Sequence, residues 1–338
     1  SPGRIFPWRK RRRDRYLPPR FSLWAAPVPG AAPRQEKREV SGLSILNNLI
    51  NGISLGSVYA IIALGYTMVY GIAKMLNFAH GDIIMVGAYI CFFTMSKMSS
   101  SLLVGAVAGT LLAMAVCTVL GVVIERLAYK PLRQAPSLAV LITAIGVSYF
   151  LQNSALLLWT SNPKSFTSVV GTGSIKLMGG QITVTYAALL TVTVCVVVML
   201  GLTWFTGNTK MGKAMRACSE DKSAAQLMGI DVNTTISMTF AIGSALAAIA
   251  GVLFLSTYTS LTPTTGSMPG IKAFTAAVFG GIGSIPGALL GGILLGIIEI
   301  FAKAFNTNIS DAVVFLVLIV VLLVKPTGLL GKVVREKV

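Results

Sequence analysis

The chain has 338 residues, 54% of them hydrophobic and only 12% charged, with a formal net charge of +17 and a mean hydropathy of +0.77. Soluble chains carry about 25% charged residues, so an ordinary soluble domain is excluded. Apolar runs of around 20 residues recur, and about 20 residues at ~1.5 Å rise span the ~30 Å hydrocarbon core. The expected fold class is all-α: a polytopic transmembrane helical bundle with broken helices and an inverted repeat.

The charge is unevenly spread. Residues 1–40 hold 11 Lys/Arg against 3 acids, so eight of the seventeen excess positive charges sit there. The remainder is basic too, as expected of a membrane protein whose cationic loops stay cytoplasmic, and the basic run at residues 9–13 does not by itself imply nucleic-acid binding. Cys91, Cys117 and Cys195 lie in apolar segments, where thiols pack as small hydrophobes. There is no CxxC, and His80 is the only histidine, so no metal site is expected.

In chain order, residues 1–40 are rich in Arg and Pro and contain no apolar stretch of signal-peptide type. They are expected to be a disordered extension foreign to the natural protein, which would begin near Val40-Ser41. The transmembrane domain is expected over 41–338. Residues 43–71 are apolar, with Gly52 and Gly56 forming a GxxxG pair that permits close helix approach. A polar island at 74–82 precedes the apolar stretch 82–95, and residues 101–125 form the next span. Arg126, Lys130, Pro131 and Arg133 make a basic loop before a span at 137–159, and 161–181 is a polar loop. Residues 183–206 cross back to the charged excursion 207–233, expected to form one or two short helices outside the membrane.

Residues 234–258 span again, followed by a Thr/Ser/Pro/Gly loop at 259–269. In the glycine-laced run 270–301, Gly281, Gly283 and Pro286 should break the helix into two pieces. Gly283, Gly287 and Gly291 recur every four residues, lining one helix face with no side chain. Residues 311–324 form the last span, followed by Lys332, Arg335 and Lys337. Eight or nine spanning or broken helices result. The Lys/Arg counts place 126–133, 210–222 and the C-terminus in the cytoplasm, and 161–181 and 259–269 outside.

Little points to catalysis. Residues 207–214 nearly match GxxxxGK[ST], but Ala214 replaces the Mg²⁺-binding hydroxyl and an apolar span precedes the match instead of a strand. No catalytic residue, bound cofactor or metal is expected. A charge at the centre of a membrane helix costs about 2.5–3.5 kcal/mol, so intramembrane charges need partners. Glu299 and Lys303 are four apart and can pair; Lys272 can snorkel; Asp82 favours a helix N-terminus. The island Asn77, Phe78, His80 and Gly81 suits a discontinuous helix lining a transport route, with Gly281, Gly283 and Gly287 as its counterpart in the second half. A simple turn between spans is the alternative.

Together the runs NGISLGSVYAIIALGYTMVYGIAKMLNFAHGD, ERLAYKPLR, MRACSEDKSAAQLMGI and FGGIGSIPGALLGG closely resemble LivH-type permeases, the inner-membrane subunits of ABC importers for branched-chain amino acids. The likeness runs from about Ser44 to Lys332. It implies that 207–233 is a coupling loop docking onto a separate ATPase, with Glu220, Asp221, Ser223, Ala224, Ala225 and Gly229 as its residues. Ser223 stands where importers generally carry Glu. The resemblance further implies two ATPase subunits that use ATP, a second homologous permease, a periplasmic binding protein and a bacterial inner membrane. Urea, short amides or other amino acids are alternative cargoes. An ion-coupled secondary transporter and a membrane enzyme are the rival classes.

Overall fold

Hydrocarbon offers no water to backbone N–H and C=O groups, so a chain this apolar must satisfy them internally, as helices do. The computed structural model describes residues 42–98, 101–177 and 182–331. The extension 1–40 and the C-terminal Lys332, Arg335 and Lys337 lie outside the described residues. The α-helices are α1 (Gly42–Ala73), α2 (His80–Lys97), α3 (Leu102–Ile124), α4 (Ser137–Trp159), α5 (Tyr186–Asn208), α6 (Lys210–Glu220), α7 (Lys222–Leu227), α8 (Val232–Thr257), α9 (Ser267–Gly280), α10 (Ile285–Phe305) and α11 (Ser310–Val324). Seven of the described helical segments are long and apolar enough to cross a membrane: those built on α1, α3, α4, α5, α8, α10 and α11. With the 18-residue α2 and the 14-residue α9, they account for the eight or nine segments expected. The chain is a multi-pass, all-α membrane protein.

Among the described residues, strand is confined to the segments between α4 and α5 and between α8 and α9. β1 (Lys164–Ser165) pairs antiparallel with β4 (Ser260–Leu261), Lys164 opposite Leu261, and β2 (Ser174–Leu177) pairs with β3 (Ile182–Thr185). The first pairing joins the loop after α4 to the loop after α8. Both loops therefore lie at one end of the bundle, as the Lys/Arg counts require. At the other end are α6 and α7, with the Lys222 ammonium on the last carbonyl of α1.

The core is built around α1, whose hydrophobic side chains from Val58 to Leu64 are at most 2% exposed. A 32-residue helix surrounded on all sides needs places where neighbouring backbones can approach closely. Gly52 and Gly56 supply one, as the sequence suggests, but their partner is a second GxxxG pair, Gly292 and Gly296 of α10. A Cβ at Gly56 would lie 2.6 Å from Ile293 Cα, and one at Gly292 would lie 2.5 Å from Ala60 Cα. Gly296 is seated equally close on the Gly56 backbone. The two helices run antiparallel along this seam, from Gly52 beside Ile297 to Gly71 beside Gly283. Gly283 itself lies outside α10, so the expected four-residue stripe is not one helix face. Gly287 and Gly291 instead pack on Gly280 and Ala276 of α9, and the face toward α1 is Gly292 and Gly296.

Gly292→Val should therefore abolish a monodisperse, folded product, because the obstruction is backbone and cannot rotate away. Gly146→Val on α4, where a Cβ meets nothing within 4 Å, should leave it unchanged. Size-exclusion profiles of the two variants in the same detergent check this.

Candidate functional site

The first interruption follows α1. Lys74 has φ +58, a left-handed conformation that ends the helix, and the chain is non-helical through Asn77 before a turn leads into α2. Four of its residues were expected to line a route. Asn77 is buried and its Oδ1 accepts a hydrogen bond from the Tyr129 hydroxyl at 2.9 Å. Phe78 packs against Phe274 of α9, ring centroids 5.6 Å apart. His80, also buried, lies against Tyr66 at 4.6 Å, and a Cβ on Gly65 would come within 2.6 Å of its Nε2. Gly81 lets the start of α2 meet the start of α9: a Cβ there would lie 2.7 Å from the Gly266 carbonyl oxygen.

The second interruption separates α9 from α10 at Gly281 and Gly283, with φ +104 and +95. These conformations suit only glycine, which is why the break falls there. Ser284 then caps α10, its Oγ accepting from Gly287 N at 3.2 Å, with Pro286 in the first turn. The carbonyls freed at the end of α9 are satisfied from far along the chain. Leu329 N donates to Phe279 O and Leu330 N to Gly280 O, both at 2.9 Å.

The two interruptions meet. Tyr66, Tyr70, Met75, Asn77, Phe274 and Ile282 line one crevice, and Gly71 abuts Gly283. Asn77 and the 281–283 break thus come together, with Phe78 linked to them only through the Phe274 ring, while His80 and Gly81 lie on the adjoining face toward Gly65, Gly243 and Gly266. Gly287 stands one turn away, against Gly280. Asp82 is in the first turn of α2 as expected, but it is 1% exposed and accepts from Gln152 Nε2 of α4 at 2.9 Å. The tie to α4 was invisible in sequence because the partners are 70 residues apart.

Sequence reasoning found one edge of a larger ionic cluster. Lys303 and Glu299 pair at 2.7 Å, but Lys272 does not snorkel. It is buried, with Nζ 2.8 Å from Glu299 Oε1 and 2.7 Å from Asp311 Oδ1. The Tyr59 hydroxyl donates to Glu299 Oε2 at 2.9 Å. Two cations, two anions and a phenol thus hold α1, α9, α10 and α11 together with no net charge. A further buried acid, Glu125, pairs with Arg133 and accepts from Ser237 Oγ at 2.6 Å.

The charged excursion forms two helices. Asp221 ends α6 and caps α7, its Oδ1 accepting from Ser223 N at 2.8 Å and Ala224 N at 3.0 Å. Gly229 has φ +81, turning the chain out of α7 toward α8. Asp231 caps α8, and its carboxyl is held below the usual range by hydrogen bonds from the Thr234 hydroxyl and nearby backbone N–H groups. Glu220, Asp221, Ser223, Ala224 and Gly229 are exposed, whereas Ala225 is 4% exposed and faces the protein's own interior. Leu227 and Met228, not singled out in sequence, are 89% and 82% exposed. An apolar pair this bare on a charged, extramembrane turn is the signal that marks them. Burial, with Arg133 and Lys74 nearby, pushes the Lys222 ammonium below its ordinary pKa.

A family model described as branched-chain amino acid transport system / permease component matches residues 48–322. The high-affinity branched-chain amino acid transport system permease protein BraD of Pseudomonas aeruginosa is 45% identical over 301 residues, covering 87% of this chain and 98% of that protein. The corresponding LivH of Escherichia coli is 45% identical over 308 residues, covering 88% and 98%. A protein named as a probable LivH permease in Methanocaldococcus jannaschii is 30% identical, covering 88% and 93%.

Removing one partner of a buried ion pair leaves an uncompensated charge and costs about 3–5 kcal/mol. Glu299→Gln should therefore lower the thermal unfolding midpoint in detergent sharply. Lys303→Met, whose side chain is 30% exposed, should lower it much less, since Lys272 still neutralises Glu299. Midpoints from tryptophan fluorescence check the order.

Proposed function

Because the chain belongs to the branched-chain amino acid transport system permease component family, we propose that it is the membrane-spanning subunit of an ABC importer that carries Leu, Ile and Val into the cytoplasm. The observation that carries this reading is similarity along the whole membrane domain: the relatives named for that activity align over 98% of their own length. Energy comes from two separate ATPase subunits. In this chain the near-match to a phosphate loop lies across the end of α5 and the start of α6, with Ala214 where a hydroxyl is needed. A second, homologous permease completes the pore, a periplasmic binding protein delivers the amino acid, and the assembly resides in a bacterial inner membrane with α6 and α7 in the cytoplasm.

The geometry supports alternating access. The exposed face of α7 (Ser223, Ala224, Leu227) and the turn at Met228 and Gly229 form the ATPase-facing surface, with Glu220 and Asp221 at its charged edge. Ala225 anchors this surface to the bundle from within. The route runs along the meeting of the two interruptions, where Asn77, Phe78 and the Gly281–Gly283 break supply backbone freedom among apolar and aromatic walls. Such walls suit aliphatic cargo and hold it weakly, leaving selectivity to the binding protein. Ion coupling is disfavoured because the Glu299 carboxylate is already committed to two ammonium groups and the Tyr59 hydroxyl.

Proteoliposomes holding the permease pair and both ATPases, supplied with the binding protein, should accumulate labelled leucine when ATP is present on the ATPase side. A proton gradient alone should drive none. Leucine accumulation by this subunit without nucleotide would overturn the proposal.

A further inference from the structure

The fold leaves α7 with few holds on the bundle. Its outward face is bare, Ala225 is its one buried residue, and it leaves through the Gly229 turn. One further hold is specific. The Lys222 side chain reaches back to the end of α1, where Nζ donates to Ala73 O at 2.6 Å. That carbonyl is among the last four of α1, which have no intrahelical donor, and it lies at the negative end of the helix dipole, where a cation is favoured.

No acid competes for this ammonium: the ion pairs among the described residues do not include Lys222. Arg133, itself paired with Glu125, and Lys74 are the nearby cations. An ammonium placed among like charges and partly removed from water is costly, so the Ala73 carbonyl is what holds it in place. The position of that carbonyl matters more than its strength as a partner. The next residue is Lys74, a non-glycine at φ +58, followed by the non-helical 75–77 segment and then His80 and α2. A side chain held at positive φ is a local strain that persists only while its surroundings enforce it. Ala73 also ends α1, the helix seamed to α10 from Gly52 to Gly71, so the Lys74 corner lies just beyond that seam.

We propose that Lys222 is a positioning residue for transport: it ties the ATPase-facing helix α7 to the end of α1, so that displacement of α7 is delivered to the interruption at 74–79. This rests on the importer reading above. Lys222 touches neither nucleotide nor cargo. Its role is to make α7 and the Ala73–Lys74 corner move together, so its loss should separate hydrolysis from transport instead of stopping both.

The assembled complex in proteoliposomes tests this, reading leucine uptake and ATP hydrolysis in the same vesicles, with ATPase retention checked by co-purification. In Lys222→Met the ATPases should still co-purify and hydrolyse ATP, while leucine moved per ATP falls at least about fivefold. Lys222→Arg, which can still donate to Ala73 O, should recover most of that ratio. Lys213→Met, an exposed lysine on α6, should not change it. An unchanged ratio in Lys222→Met, with the native complex active, overturns this inference and leaves the importer reading intact. An inactive native complex indicts that reading instead. Should Lys222→Met fail to assemble, spin labels at Gln226 and Lys74 in the otherwise native complex decide the matter. Their separation should stay fixed between nucleotide-free and ATP-trapped states, and a change beyond about one helical turn (~5.4 Å) contradicts the tie.

Discussion

Backbone contact between α1 and α10 is the constraint from which the rest of this membrane domain follows. Lipid tails are as apolar as leucine, so burial alone gives helices little reason to prefer each other over lipid, and close packing must supply the preference. Two GxxxG pairs meeting face to face, Gly52/Gly56 and Gly292/Gly296, bring the chains near enough for that packing. Because the helices run antiparallel, the end of α1 and the start of α10 come to the same level. The interruptions at 74–79 and 281–284, more than 200 residues apart in sequence, thereby become neighbours, with Gly71 beside Gly283.

The second requirement is that polar groups within a dry bundle be matched. Each interruption is closed by a donor or acceptor from elsewhere: Tyr129 on Asn77, Leu329 and Leu330 on the last carbonyls of α9, and Lys222 on that of α1. The charges are matched as well, in the Lys272–Glu299–Lys303–Asp311 cluster. The result is rigid along the α1–α10 seam and at the ionic cluster, and discontinuous where the two interruptions touch. That division suits the proposed alternating access, in which fixed bundles move about a few yielding points.

Much of this was legible in the sequence, because the signals are local. Glycines at left-handed positions marked the α9–α10 break, hydropathy located the spans, and the charged excursion announced α6 and α7. Glu299 with Lys303 followed from helical spacing. What escaped was everything that depends on pairing distant segments. Gly292 and Gly296 read as two more glycines in a rich run until α1 was seen against them, and Lys272 looked ready to snorkel because its acids lie 27 and 39 residues away. Ala225 was expected among the ATPase-facing residues, yet it faces inward. Leu227 and Met228 look like ordinary apolar residues until their exposure is known.

In the proposed transport cycle the two interruptions form the moving part of the route. Leu76 of the first interruption and Ile282 of the second both line the crevice, and both can be replaced by cysteine in a background lacking the four buried native cysteines. A short bifunctional thiol reagent joining them should stop ATP-driven leucine uptake, and cleaving the reagent should restore it, with the ATPases bound throughout. Uptake that continues at its native rate with the two positions fully joined would contradict the account.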